Sequence, residues 1–206
     1  MKWKQYLQTL ARTPRLGLFT LATTGLDPMK GDELIGVSFR IFEEDDKVTS
    51  CDKLLKLCTV ENLQKSMDYH KVSQQMQVSI GYDEHTWKTE LEARIGAQPV
   101  CWFTYNPQFA ETFLHTVGVK WHVHDFSKLM LFAESYMPFE DVGTIDNLDR
   151  LMEKQRKAPG IRVLASSYGE SCADLPGVLP MQTMLEVICR MAHRLADLDC
   201  PVMFDE

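Results

Sequence analysis

No apolar run in these 206 residues approaches the roughly 18 consecutive positions needed to cross a bilayer as a helix, so a membrane-spanning helix is not expected. The opening residues, Met1-Lys2-Trp3-Lys4-Gln5, lack the apolar stretch and small-residue cleavage site of a signal peptide, and a cytoplasmic protein is expected. There is no Walker loop and no G-x-G-x-x-G, which removes the two common phosphate-cradling turns. Basic residues are outnumbered, 22 against 29, and the net charge of −7 argues against tight nonspecific binding to duplex DNA. Six cysteines (Cys51, Cys58, Cys101, Cys172, Cys189, Cys200) are scattered with no CxxC, which points to reduced thiols rather than a zinc site or disulfide framework. Neither Cys101 nor Cys172 has a His partner that would make it a nucleophile. No internal repeat or low-complexity tract is present.

What remains is an ordinary globular balance, 45% hydrophobic and 25% charged, enough for one domain over residues 1–206 with a sizeable core. Periodicity predicts a short helix over 2–12, with Trp3, Tyr6, Leu7 and Leu10 on one side, stopped by Thr13-Pro14. Leu16–Leu21 reads as a buried strand ending in a Thr-Thr-Gly turn. Leu34–Phe42 and Val48–Leu55 read as a hairpin about the acidic turn Glu43–Asp46. Helices near 60–68 and 84–95 precede a short strand, Val100–Thr104. Asn106-Pro107 opens a helix through His115. Val119–His124 is a strand, and Asp125 can cap a helix to about Phe132. Helices over Asp146–Lys157 and Met181–Leu198 follow; in the last, Met184, Leu185, Ile188, Met191 and Leu195 recur at core-packing spacing. Strands followed by alternating helices and strands indicate an α/β domain with a mixed sheet.

The segment Phe19-Thr20-Leu21-Ala22-Thr23-Thr24-Gly25-Leu26 resembles the first motif of DnaQ-like 3′–5′ exonucleases, the family of the proofreading subunit of bacterial DNA polymerase III. There a strand carries Asp-x-Glu directly before Thr-Thr-Gly-Leu. Here the turn is kept as Thr23, Thr24, Gly25 and Leu26, while Thr20 stands at the Asp position and Ala22 at the Glu position. Gly31-Asp32-Glu33-Leu34-Ile35 fits the start of the family's second strand, and Tyr69-His70-Lys71-Val72-Ser73 looks like its His-Gly-Ile segment. Phe103–Leu114 is similar to the second motif, His-Asn-x-x-Phe-Asp then Phe-Leu. Asn106, Phe109, Phe113 and Leu114 match; Tyr105 replaces the His and Ala110 the catalytic Asp. His124-Asp125-Phe126 resembles the segment that starts the next helix, and Ile145–Met152 the helix before the third motif. The third-motif Asp is placed at Asp174, with Gly169 and Glu170 at its His and Tyr positions; His193–Asp197 has the wrong spacing. The resemblance covers roughly 16–190 and implies a ribonuclease H-like fold, a mixed central sheet of about five strands flanked by helices.

In that family two divalent metals sit between four carboxylates and activate a water. Hard cations such as Mg²⁺ and Mn²⁺ need oxygen ligands. Strand residues two apart share a face, so Thr20 and Ala22 aim two uncharged side chains at the metal site. Ala110 removes a third carboxylate, and Asp174 alone faces two metals. Glu111 is offset by about 100° around its helix; Glu170 lies about one turn from Asp174 if that segment is helical; Asp27 and Asp32 are expected at the surface. No cofactor is therefore expected, with Mg²⁺ or Mn²⁺, held by Asp174 and Glu170, only if the chain is active. Thr23, Thr24, Leu26, Asn106 and Phe109 either keep a pocket for a nucleic-acid end or only preserve the fold, with Leu26 and Phe109 in the core. Trp121-His122-Val123-His124 puts two His at strand alternation with no third ligand evident. Arg150, Lys154, Arg156 and Lys157 form a basic patch that reads as a solvated helix face. Three functions stay open: a silent exonuclease scaffold binding a single-stranded nucleic-acid end or a protein partner, an active exonuclease with a rearranged site, and a structural or interaction module.

Overall fold

In the computed structural model, which describes residues 15–126 apart from 44 and 46, and residues 177–197, the apolar run after Pro14 forms β1 (Leu16–Thr23). It runs two residues beyond the expected strand, so Ala22 and Thr23 are sheet residues rather than turn. The β-branched run Leu34–Phe42 forms β2, antiparallel to β1, with Leu16 opposite Phe42 and Thr23 opposite Leu34. Its hairpin partner β3 (Val48–Lys56) returns antiparallel, and the Glu43 N–H donates to the Lys47 carbonyl at 2.9 Å to close the turn. Short strands β4 (Gly81–Tyr82), β5 (Cys101–Thr104) and β6 (Val123–Asp125) add parallel to β3, β1 and β5. The sheet is six-stranded and mixed, in the order β4-β3-β2-β1-β5-β6. The hairpins supply the antiparallel half, and the crossovers through helices supply the parallel half.

The helix expected near 60–68 breaks at Ser66 into α1 (Val60–Lys65) and α2 (Met67–His70). A further helix, α3 (Gln74–Ile80), leads into β4; neither was expected. The next helix, α4 (Glu84–Ile95), lies where a helix was expected, with the Asp83 side chain accepting from the Thr86 N–H at 3.1 Å. Then α5 (Pro107–Thr116) starts at an Asn106 cap, whose Oδ1 accepts from the Phe109 N–H at 3.2 Å. The strand expected over Val119–His124 shortens and shifts. Gly118 has φ +71, and the Val119 N–H bonds the Leu114 carbonyl at 2.9 Å, which ties this stretch to the end of α5 instead. The last described helix is α6 (Pro180–Asp197). The helices expected over 2–12 and 146–157, most of that over 125–132, and the basic patch lie outside the described residues.

One apolar cluster packs Phe19, Val37, Phe39, Ile41 and Trp102 of the sheet against Trp87 and Leu91 of α4 and Phe113 and Leu114 of α5. The fully buried Trp87 ring anchors it, and its Nε1–H donates to the Leu54 carbonyl at 3.0 Å. Trp102 lies stacked on Trp121, with Phe19 edge-on to both. A second cluster joins Ala22, Ile35 and Leu55 to Leu63, Val72, Leu179 and Met181. Of the cysteines, Cys51, Cys101 and Cys189 are buried free thiols and Cys58 is half-buried; Cys172 and Cys200 lie outside the described residues. Burial pushes the Cys101 thiol up to about 11 and Cys189 to about 12, which keeps both protonated and unreactive. No helix among the described residues is long and apolar enough to cross a membrane.

Candidate functional site

The parallel neighbours β1 and β5 end together, and a cleft of about 310 Å³ opens at their C-terminal ends, the usual ligand position on an open α/β sheet. Strand β1 gives it Thr20, Ala22 and Thr23. The end of β5 gives Thr104, Tyr105 and Asn106, and α5 gives Phe109 and Ala110. Tyr69 and His70 of α2 form another wall, and Met181, Met184 and Ile188 of α6 face them. Six of the residues singled out by sequence, Thr20, Ala22, Ala110, Thr23, Asn106 and Phe109, thus meet in one cleft. Thr24 and Leu26 do not line it.

Thr24 is a buried clamp for the turn: its N–H donates to the Glu33 carbonyl at 2.9 Å, and its hydroxyl accepts from the Glu33 N–H at 2.8 Å. Gly25 is required by close approach, because a Cβ there would collide with the Asp32 carboxylate. That carboxylate accepts from the Asp27 N–H at 3.0 Å, so Asp27 and Asp32 are half-buried parts of the turn rather than the surface residues expected. The same turn projects Leu26 into solvent at 84% exposure, so Leu26 is not the core residue of the fold-preserving reading. Met29, at 90%, is exposed close by in the 3-10 turn Pro28–Lys30, which packs against α5. Phe109 is half-buried against the first cluster, its ring 4.9 Å from that of Phe113.

The polar groups of the cleft can be followed one by one. The Thr20 hydroxyl donates to the Met181 carbonyl at 2.6 Å, Thr104 to the Phe19 carbonyl at 2.7 Å, and Thr23 to the Gly25 carbonyl at 2.7 Å. Nδ1 of the buried His70 accepts from the Val72 N–H at 2.9 Å, so its Nε2 carries the proton and donates to the Leu63 carbonyl at 3.1 Å. Desolvation lowers the His70 pKa, against the pull of that carbonyl, and keeps the ring neutral. The Tyr105 hydroxyl is buried with no hydrogen-bond partner among the described residues, and burial, reinforced by the Asp125 carboxylate, pushes it up to about 12. The cap role engages Asn106 Oδ1.

Among the described residues, none of the side chains lining this cleft is a carboxylate, a lysine or an arginine. Ala22 belongs to an apolar cluster with Leu179 and Met181, and Ala110 is buried in the other cluster. Glu111 turns away: its Oε1 accepts from the Val123 N–H at 3.2 Å. A hard divalent ion needs several oxygen ligands and charge neutralisation; the residues described here do not fit one. His122 and His124 do share a face, with rings 4.8 Å apart. Even so, no three of the described His, Cys, Asp and Glu converge to hold a metal. Asp174 and Glu170 lie outside the described residues. Sequence reasoning assigned Met184 to core packing, but it is half-buried on the cleft. It also left out Tyr69 and Tyr105 as walls, although the motif alignment had already brought both beside matched positions.

No protein-family model and no curated protein matches the chain. Solved structures do. Cell-death related nuclease 4 (CRN-4) superposes with a TM-score of 0.57 at 10% identity, over 88% of this chain and 64% of that one. A moderately thermophilic exonuclease I from Methylocaldum szegediense gives 0.55 at 13% identity, over 88% and 41%. The zinc-bound E. coli exonuclease I in complex with single-stranded DNA gives 0.54 at 12% identity, over 90% and 42%. The match spans less than two thirds of each of those chains. The mixed six-stranded sheet flanked by helices is thus the exonuclease-type, ribonuclease H-like α/β fold.

Proposed function

We propose that this chain, read as one domain over residues 1–206, is an exonuclease-fold protein that grips the end of a single-stranded nucleic acid without cutting it. One observation carries the reading: the three positions where the resembled family keeps metal-binding carboxylates, Thr20, Ala22 and Ala110, line a single cleft and are all uncharged. The cleft survives as a shaped site while the chemistry for phosphodiester hydrolysis is gone from its described walls. The exposed Tyr69 ring on the cleft favours a ligand with flat unpaired bases, which stack on aromatic faces in a sequence-tolerant way. Two structural neighbours are exonucleases, and one of them is a complex with single-stranded DNA; the fold supports nucleic acid over an unrelated ligand. Activity through Asp174, Glu170 or Glu111 is the competing reading.

The test is incubation of labelled single-stranded DNA and RNA with the protein in Mg²⁺ and then Mn²⁺. Retention of full-length strand, together with binding at low salt, is the expected result. Shortening of the strand that disappears on Asp174→Asn would refute the proposal and establish the rearranged enzyme.

A further inference from the structure

We propose that Lys71 supplies the phosphate-binding charge of this cleft, in place of the metal ions its walls no longer fit. The proposal rests on the nucleic-acid reading above and names the group that would meet the backbone. Lys71 has φ +57 and ψ +16, and among the described residues it is the one non-glycine residue in the left-handed region. A side chain there crowds its own backbone, and glycine removes the strain. The local turn needs this conformation. The Lys71 N–H closes α2 on the Met67 carbonyl at 2.9 Å, and the reversal that follows brings the Val72 N–H onto His70 Nδ1. Glycine, which the resembled His-Gly-Ile segment has at this position, would make the same turn unstrained. A strained residue that persists beside a site is a reason to look for function there.

What lysine adds is a cation one residue beyond the cleft wall. Lys71 is exposed, and its charge acts on the neighbouring His70 ring. The two residues before it, Tyr69 and His70, line the cleft, and the Tyr69 ring is 82% exposed. The described cleft walls are uncharged, so a strand end entering them would meet the Tyr69 ring as a flat face for a base, and the flexible Lys71 side chain two residues on would meet the adjoining phosphate. A divalent ion held by carboxylates would make such a lysine redundant.

The experiment is fluorescence anisotropy with a short labelled oligothymidylate in EDTA across a salt series, with melting curves on the same samples. Lys71→Gln keeps the strained backbone and removes the charge; it is expected to weaken binding at low salt several-fold and to reduce the slope of log affinity against log salt by about 0.7, at an unchanged Tm. Lys71→Gly is expected to weaken binding equally while raising Tm by about 2–4 °C, and Lys71→Arg to bind as the wild type. Opposite movement of affinity and stability in the glycine variant is something a purely structural lysine would not give. Wild-type affinity and salt slope in Lys71→Gln overturn the assignment and leave the nucleic-acid reading standing. A weaker Lys71→Gln complex with an unchanged slope also overturns it, because the lost contact is then not ionic. A lower Tm for Lys71→Gly overturns the strain argument. No binding by the wild type at low salt removes the nucleic-acid reading and this assignment together.

Discussion

Placing a carboxylate at position 20 is expected to destabilise the protein. Thr20 is 7% exposed, and its hydroxyl donates to the Met181 carbonyl at 2.6 Å. Thr20→Asp removes that donor, a loss of about 1 kcal/mol. It also holds an ionised, acceptor-only group against a carbonyl oxygen, with no cation among the described residues of the cleft to offset it. Burying an unpaired charge adds several kcal/mol, so roughly 3–5 kcal/mol in total is expected. For a chain of this size that is a Tm fall on the order of 10 °C. Thr20→Val, which loses only the hydrogen bond, should cost about 1 kcal/mol. The pH dependence identifies the charge as the cause. Burial raises the folded-state pKa of the new carboxyl above its unfolded value near 4. The folded state then binds more protons than the unfolded state, so the penalty is absent below that unfolded pKa and grows as pH rises through the folded one. Scanning calorimetry at pH 4 and pH 7.5 should show the deficit of Thr20→Asp against wild type narrowing at the acid end, with Mn²⁺ leaving it unchanged at pH 7.5. A variant as stable as wild type at pH 7.5, or one that Mn²⁺ stabilises, would mean that the metal seat is intact and the account of the cleft is wrong.

Tyr105→Phe removes a buried hydroxyl that has no partner among the described residues, so it should raise stability by about 1 kcal/mol in urea titrations; a loss would reveal a further hydrogen bond. His70 and His124 both have lowered pKa values, chiefly from desolvation. The unfolded chain therefore takes up protons first, and stability should fall as pH drops through about 6.5. Urea melts at pH 7.5 and 5.5 should show that fall, and it should be smaller in His70→Gln, which has no ring to protonate. Gly25→Ala should lower Tm by several degrees, because the new methyl meets the Asp32 carboxylate that holds the Asp27 N–H; an unchanged Tm would show that this turn relaxes freely.

The parts of this molecule legible in the sequence are those set by local rules. Asn106-Pro107 specified a cap and a first turn. The helix α4 was placed over 84–95, and alternation along β1 put Thr20 and Ala22 on one face. The missed pieces, α3 and β4, are too short for periodicity to register, and α3 buries Gln77, a polar residue held by its bond to the Lys56 carbonyl at 2.7 Å. The break at Ser66 likewise leaves helices of six and four residues. The character of the cleft was legible only in part. Three uncharged positions could be read from the first and second motifs, but the partner of Thr20 could not, because it lies 161 positions away. Leu26 misled for a similar reason. Its apolar character suggests burial, whereas the orientation of the turn depends on Thr24 and Asp32 holding the backbone from the far side.

That Thr20–Met181 bond joins positions 161 residues apart. The start of α6 covers β1, an inner strand of the sheet, so this wall of the cleft waits for a segment translated about 160 residues later. Closing so large a loop makes this contact a late and slow event in folding. On the nascent chain Ala22, Ile35 and Leu63 are made long before Leu179 and Met181 complete their cluster, so that apolar face is where a chaperone is expected to bind before the helix arrives.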